Sequence, residues 1–225
     1  MKIPSLAILS FLVMVGNVNA QQNSVYVEQI GSGSTINFTQ TGVGNAIGNA
    51  TTKASVNGNN NNITVEQIGN TNIAALNVQA DGVNINASAT GDNNNVTINC
   101  GVTGSCDGST ITNTITGDGN TITTNADGLT DSTVTITTNN NTVSVTNTSS
   151  AVSGAKSVID ISSGGGNNVA LTQAGAAGTN GHDASITIVG ATNDVDVRQG
   201  GTVDSKVNAT ITGSGNTLNI KSNHN

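Results

Sequence analysis

The sequence predicts an all-β chain, a β-solenoid (β-helix) of stacked strand-arc-strand coils with about eleven residues per strand unit. Three observations carry that expectation. One unit recurs, clearest at residues 61–69, N-N-I-T-V-E-Q-I-G: with period two, Asn61, Ile63, Val65 and Gln67 fall on one face of a strand, Thr64 and Glu66 fall on the other, and Gly69 ends it. Val, Ile and Leu stand at alternate positions between Gly and Asn punctuation, segment after segment, an order that a disordered polar tract has no reason to keep. The single proline is at position 4, so nothing later blocks a backbone ladder.

The first twenty residues differ from the rest. Lys2 supplies a positive start, Ile3 to Gly16 is almost wholly apolar, and Val18-Asn19-Ala20 has the form of a cleavage site, so 1–20 reads as a secretory signal peptide. That run is short for a bilayer and no later segment approaches its hydrophobicity, so no membrane insertion is expected. The remaining 21–225 is expected to form one solenoid, secreted to the extracellular space or cell surface, through the periplasm if the cell is Gram-negative. Without Lys2 the net charge of -7 becomes one unit more negative. Only 8% of residues are charged and 1% aromatic, which leaves no basic patch for phosphates and no rings for bases, so no nucleic-acid partner is expected.

Taken in order, the units start at Asn23, Ser34 and Asn45, with inward Val25 and Val27, then Ile36 and Phe38, each pair followed by a glutamine, Gln29 and Gln40, and by Gly31 and Gly42. The stretch 46–54 blurs and reads as a weak coil or an arc. The unit at Asn61 restores the register, and Asn72, Ala74, Leu76 and Val78 follow, with Gln79 one place late. These glutamine-bearing repeats cover 23–91. Across 92–150 glutamine disappears and Thr fills the outward positions, among them Thr110, Thr112, Thr114, Thr116, Thr133 and Thr135, with strand boundaries at Gly91-Asp92, Asp107-Gly108, Gly117-Asp118-Gly119 and Asp127-Gly128. The opening pattern returns over 157–225: Asn167, Val169, Leu171, Gln173, Gly175, and Asn193, Val195, Val197, Gln199, Gly201. About eighteen strands, two to a coil, predict about nine coils and a stack roughly 40 Å long.

Little in the chain suggests catalysis. The two histidines are His182, in a Gly-Asn-Gly-His-Asp loop, and His224, and neither has a nucleophile or paired carboxylate beside it, so the expectation is a non-enzymatic protein without a cofactor. Asp107, Asp118 and Asp127 neighbour glycines but lack the Gly-Gly-x-Gly-x-Asp repeat of calcium solenoids, so no metal site is expected either. Cys100 and Cys106 bracket a short loop and, in an exported chain, are expected to be disulfide-bonded.

The repeat resembles that of the curlins, the subunits of bacterial curli fibres, which runs Ser, five residues, Gln, x, Gly, x, Gly, Asn, x, Ala and on to another Gln. Asn23 to Gln29, Gly31, Gly33, Ser34, Ile36 and Gln40 follow it, as do Gln40, Gly42, Gly44, Asn45 and Ile47, and again Asn61, Gln67, Gly69, Asn72 and Ala74. The likeness covers 23–82 well and 167–201 partly, and the middle shares only the alternation. Two features depart from the family: Gln21 and Gln22 run straight into the first unit with no glycine-rich leader, and the cysteine pair is extra. The resemblance implies an amyloid-type fibre subunit or nucleator for surface adhesion and biofilm matrix. Its implied partners are further copies, other curlin-like subunits and an outer-membrane export apparatus.

Inward Asn and Gln amides on successive coils are satisfied only by partners above and below, so Asn23, Gln29, Ser34, Gln40, Asn61, Gln67, Asn167, Gln173, Asn193 and Gln199 are the candidate stacking and assembly positions. Two alternatives stand beside the fibre. The outward Thr rows would make an ice-binding face if they stayed in step from coil to coil, which the uneven spacing of Ser109, Asn120, Ser132 and Asn141 argues against; and the solenoid could act as a soluble surface adhesin.

Overall fold

The structure, a computed structural model, describes residues 22–102, 105–149, 154–176 and 178–224. The signal peptide expected at 1–20 lies outside them. Every described element is a strand. The first coil holds β1 (Ser24–Val25), β2 (Val27–Ile30) and β3 (Thr35–Thr41); the second β4 (Ala46–Ile47), β5 (Ala54–Asn57) and β6 (Asn62–Ile68); the third β7 (Ile73–Gln79), β8 (Asn84–Ile85) and β9 (Ser88–Thr90). Then come β10 (Asn95–Cys100) with β11 (Thr110–Thr116), β12 (Thr121–Ala126) with β13 (Thr130–Ile136), β14 (Thr142–Ser149) with β15 (Ala155–Ser163), β16 (Asn168–Gly175) with β17 (Asp183–Val189), and β18 (Asp194–Gly201) with β19 (Lys206–Thr212). The last strand, β20 (Thr217–His224), begins a ninth coil.

These strands form two facing parallel sheets. Sheet A, 11-stranded, runs β1-β4-β7-β10-β12-β14-β16-β18-β20 with β2 and β5 alongside; sheet B, 9-stranded, runs β19-β17-β15-β13-β11-β8-β6-β3 with β9 alongside. Because β1 with β2, β4 with β5, and β8 with β9 each share a level, sheet A has nine rungs and sheet B eight. This is a β-solenoid in which each coil touches only its neighbours, so burial depends on the stack. Alternation does the sorting: Ile63, Ile85, Ile111 and Ile159 in sheet B and Ile47, Ile98, Ile122 and Leu171 in sheet A are all buried in one continuous core.

The eleven-residue period belongs to one half of the coil. Ser34 to Asn45, Asn61 to Asn72, Val83 to Asn94, Ser109 to Asn120 and Thr130 to Asn141 are each eleven residues apart, spanning a sheet B strand and its arc. The one longer interval, Ala155 to Asn167, contains the register shift between Ile161 and Ser163. The sheet A halves absorb the variation. The stretch 46–54 is neither a weak coil nor an arc but a sheet A rung split by an outward excursion: Gly48 N donates to Ala74 O before it and Ala54 N to Tyr26 O after it, both within 2.8–2.9 Å. Asn49 Oδ1 closes the excursion by accepting from Thr51 N and Thr52 N at 2.9 and 2.7 Å.

Two buried polar side chains within the apolar columns lack a hydrogen-bond partner. Asn113, next to Val134 in sheet B, has neither amide atom hydrogen-bonded within the protein, and Thr124, between Ile98 and Val145 in sheet A, has an unpaired hydroxyl. An unpaired buried amide costs about 1–3 kcal/mol. Asn113→Val is therefore expected to raise stability by about that amount, read as an upward shift of the urea midpoint; a downward shift would show that the amide is solvated inside the core.

Candidate functional site

The arcs leading from sheet B back to sheet A share one construction. In each, the residue before an asparagine adopts the left-handed conformation: Gly44 (φ 70°), Thr71 (54°), Asn93 (58°), Gly119 (67°), Asn140 (57°), Gly166 (73°), Thr192 (55°) and Gly215 (71°). Gly and Asn reach that region at little cost, whereas β-branched Thr71 and Thr192 are strained there. The conformation turns the next side chain inward at the corner, and it is asparagine every time: Asn45, Asn72, Asn94, Asn120, Asn141, Asn167, Asn193 and Asn216, preceded at the N-terminal end by Asn23.

These nine asparagines form an uninterrupted ladder. Each Oδ1 accepts the backbone N–H of the asparagine one coil on, at 2.9–3.0 Å from Asn23–Asn45 through Asn193–Asn216. From Asn94 onward each Nδ2 also donates to the preceding Oδ1, at 2.9–3.1 Å. Several Nδ2 groups reach forward to an arc carbonyl, as Asn72 does to Gly91 O at 2.7 Å and Asn94 to Gly117 O at 2.8 Å. The ladder spacings are 22, 27, 22, 26, 21, 26, 26 and 23 residues, so vertical alignment survives large changes in coil length.

Asn23, Asn167 and Asn193 of the candidate positions lie in this ladder. Ser34 and Asn61 lie at the opposite corner, where Asn61 N donates to Ser34 Oγ at 3.1 Å and Val83 N to Asn61 Oδ1 at 2.8 Å. That line then passes through Val83 and Ala155, which have no side-chain acceptor, and so does not run the length of the stack. The glutamines form two separate pairs, not columns. Gln40 Nε2 donates to Gln67 Oε1 at 2.8 Å in sheet B, and Gln173 Nε2 to Gln199 Oε1 at 3.0 Å in sheet A. Gln29 lies over Val56, so no amide stands above it; Gln79 points outward, and Val78 takes the inward position. Asn94, Asn120, Asn141 and Asn216 complete the ladder unrecognised by the glutamine-centred repeat. For three of them the signal was the spacing Gly-x-x-Asn, Gly91 to Asn94, Gly117 to Asn120 and Gly213 to Asn216, whereas Asn141 has Thr138 in place of the glycine.

His182 closes the loop that leads into β17, as the sequence suggests, but its side chain is fully buried. Its Nε2 lies 3.0 Å from Ala174 O, which can only accept, so Nε2 carries the proton and Nδ1 accepts from Ser205 Oγ at 2.8 Å. Gln199 Nε2 donates to Ser205 O at 2.9 Å and ties this corner to the Gln173–Gln199 pair. The network fills the core of coils seven and eight. Cys100 and Cys106 are disulfide-bonded and buried, closing the arc between β10 and β11. Among the described residues no group of three or more His, Cys, Asp or Glu is placed to hold a metal. At the surface, Asp196 accepts from Arg198, and this hydrogen bond, with their Coulomb attraction, holds the guanidinium above its ordinary pKa.

The outer faces stay in step despite the uneven loops. Thr112 stands beside Thr133 and Thr114 beside Thr135 in sheet B, and Thr97 beside Thr123 beside Ser144 in sheet A. The spacing argument against aligned Thr rows is thereby overturned, because the extra residues leave through the arcs. Among the described residues nothing covers either end of the stack. Inward Val25, Val27 and Phe38 at one end, and Leu218 and Ile220 at the other, are only partly buried, and the edges of β1, β2, β3, β19 and β20 have no strand beyond them among the described residues. No protein-family model, curated protein or solved structure matches this chain.

Proposed function

We propose that the chain is a secreted, curlin-like structural protein whose copies add end to end by strand pairing into an extracellular amyloid-type fibre. The observation that carries the reading is the state of the two ends: half-covered apolar side chains and unpaired parallel edges, the arrangement that invites another chain to add a strand. The buried Asn ladder is consistent with it, since stacked amides gain a partner with each added coil. The likeness of 23–82 to the curlin repeat gives the reading its biological setting, adhesion and matrix. Purified chain lacking 1–20 is expected to form filaments in electron micrographs with a diffraction spacing of about 4.7–4.8 Å along the fibre axis. A chain that stays monomeric at high concentration would overturn the proposal.

A second reading has one observation behind it. The in-step Thr rows on β11 and β13 are the regular array that an ice-binding face requires, although the column of Thr114 and Thr135 also carries Asp160 on the next coil and Glu66 two coils before. Thermal hysteresis of the monomer separates the two readings.

A further inference from the structure

We infer that the fibre joint is made in sheet A alone, with β20 of one copy beside β1 and β2 of the next in unbroken register, and that Lys221 pairs with Glu28 across it. This rests on the end-to-end reading above and names its contacts. Parallel strands in this solenoid keep their columns from coil to coil, so a residue's column can be followed from one end of the stack to the other. The outward column that begins at Glu28 passes through Ser55 and Asn77 and ends at Arg198 and Lys221. If the next copy continues the column, the Lys221 ammonium lies one strand spacing, about 4.8 Å, from the Glu28 carboxylate. Lys221 is exposed and makes no ion pair among the described residues; Glu28 has a single partner, Lys53, at 3.6 Å and leaves its other side open.

The neighbouring columns match equally well. The inward column starting at Val25 ends at Leu218, and the one through Val27 ends at Ile220, so partly buried aliphatic side chains cover one another. Gln29 meets Ser222, two polar groups at one level. The Asn ladder is directional: an Oδ1 on one coil accepts an N–H from the coil after it. The last rung therefore presents the Asn216 acceptor and the first presents the Asn23 N–H, and only head-to-tail addition joins them. A tail-to-tail contact would set β20 antiparallel to β20, which breaks the parallel columns and leaves the Asn216 acceptor without an Asn23 N–H. Sheet B does not close at such a joint. With nine rungs in sheet A and eight in sheet B, β19 and the next copy's β3 stand one strand further apart than neighbours within the stack, so pairing in sheet A specifies the contact.

Two measurements on the chain lacking 1–20 test this. Outward Tyr26 and Asn219 fall in one column, on either side of the joint. Chains with Asn219→Cys are mixed with chains carrying Tyr26→Cys, assembled and oxidised; a covalent dimer is expected in excess over the out-of-register mixture of Asn219→Cys with Glu28→Cys. Separately, monomer of the double variant Glu28→Lys with Lys221→Glu is elongated from seeds of itself, and Glu28→Lys monomer from seeds of itself. The first combination restores opposite charges and the second opposes lysine to lysine, so growth is expected to be roughly twofold to fivefold faster in the first, the range for an exposed ion pair, and the gap should narrow as salt is added. Lysine at 28 faces Lys53 within every subunit of both chains, so that effect cancels. Filaments without the in-register cross-link, or with equal growth from both monomers, overturn this joint and leave the fibre reading in place. Absence of filaments from the unaltered chain removes both.

Discussion

Asn120→Leu is expected to destabilise the solenoid by about 3 kcal/mol and to loosen its middle first. The side chain is fully buried and central in the ladder: its Oδ1 accepts from Asn141 N at 2.9 Å and Asn141 Nδ2 at 3.0 Å, and its Nδ2 donates to Asn94 Oδ1 at 3.1 Å. Leucine fills similar space, so the loss is not a cavity. It strands the Asn141 N–H and removes one acceptor from the Asn141 amide, and each buried group left unpaired costs about 1–3 kcal/mol. Because coils contact only their neighbours, amide exchange should quicken first in β12, β14 and the arc at 137–141, before the distant coils respond. Asn95→Leu one coil earlier, on the outer face, should change stability by less than about 0.5 kcal/mol. Equal effects at 95 and 120 would mean that the ladder contributes no more than any surface position.

Strand faces and coil corners differ in how plainly the sequence marks them. Period-two alternation placed Ile63, Val65, Val96, Ile98, Val143 and Leu171 inside because a strand has only two faces, and an error of one residue would have put charge in the core. That made the fold class legible. The corners were harder, since the most visible polar repeat, the glutamine, marks two local pairs, Gln40–Gln67 and Gln173–Gln199. The continuous ladder is made by a residue so abundant in this chain that no single asparagine stands out. What distinguishes Asn120 or Asn141 from Asn95 or Asn125 is the left-handed residue before it, and that residue is Gly, Asn or Thr, with no one-letter signature. The burial of His182 was hidden for a related reason. Its Gly-Asn-Gly surroundings read as a loop, but Gly181 N and Asn180 N are held by Asp204 of the next coil at 2.9 and 3.0 Å, and the ring turns inward onto Ser205.

The loop lengths carry the physical reason why the count of residues misleads. An eleven-residue interval, lengthened by one at the register shift in β15, recurs where an arc delivers an asparagine to the ladder, which is the passage from sheet B to sheet A. The opposite passage, with its corner line broken at Val83 and Ala155, tolerates the disulfide-closed arc after β10 and the longer arc after β16. Alignment is thus a property of hydrogen bonds between coils, and the Thr rows stay in step for the same reason as the core.

Gly91→Ala tests the arc itself, and its cost should be the larger of the two at one coil level, at least about 3 kcal/mol. Gly91 has φ 121°, which an L side chain rarely adopts, and a Cβ there would collide with the Gly117 carbonyl of the coil above and lie 2.8 Å from Asp118 Oδ1. The carbonyl cannot yield freely, since Gly117 O accepts from Asn94 Nδ2 at 2.8 Å, while Gly91 O holds Asn72 Nδ2 at 2.7 Å. Relief of the clash therefore disturbs the ladder on two levels. Gly215 supplies the control: it is also left-handed, φ 71°, but nothing lies within 4 Å of a Cβ added there. Gly215→Ala should cost only about 1 kcal/mol, the conformational penalty alone. A denaturation series in which the two substitutions cost the same would show that conformation, and not the close stacking of arcs, selects glycine at these corners.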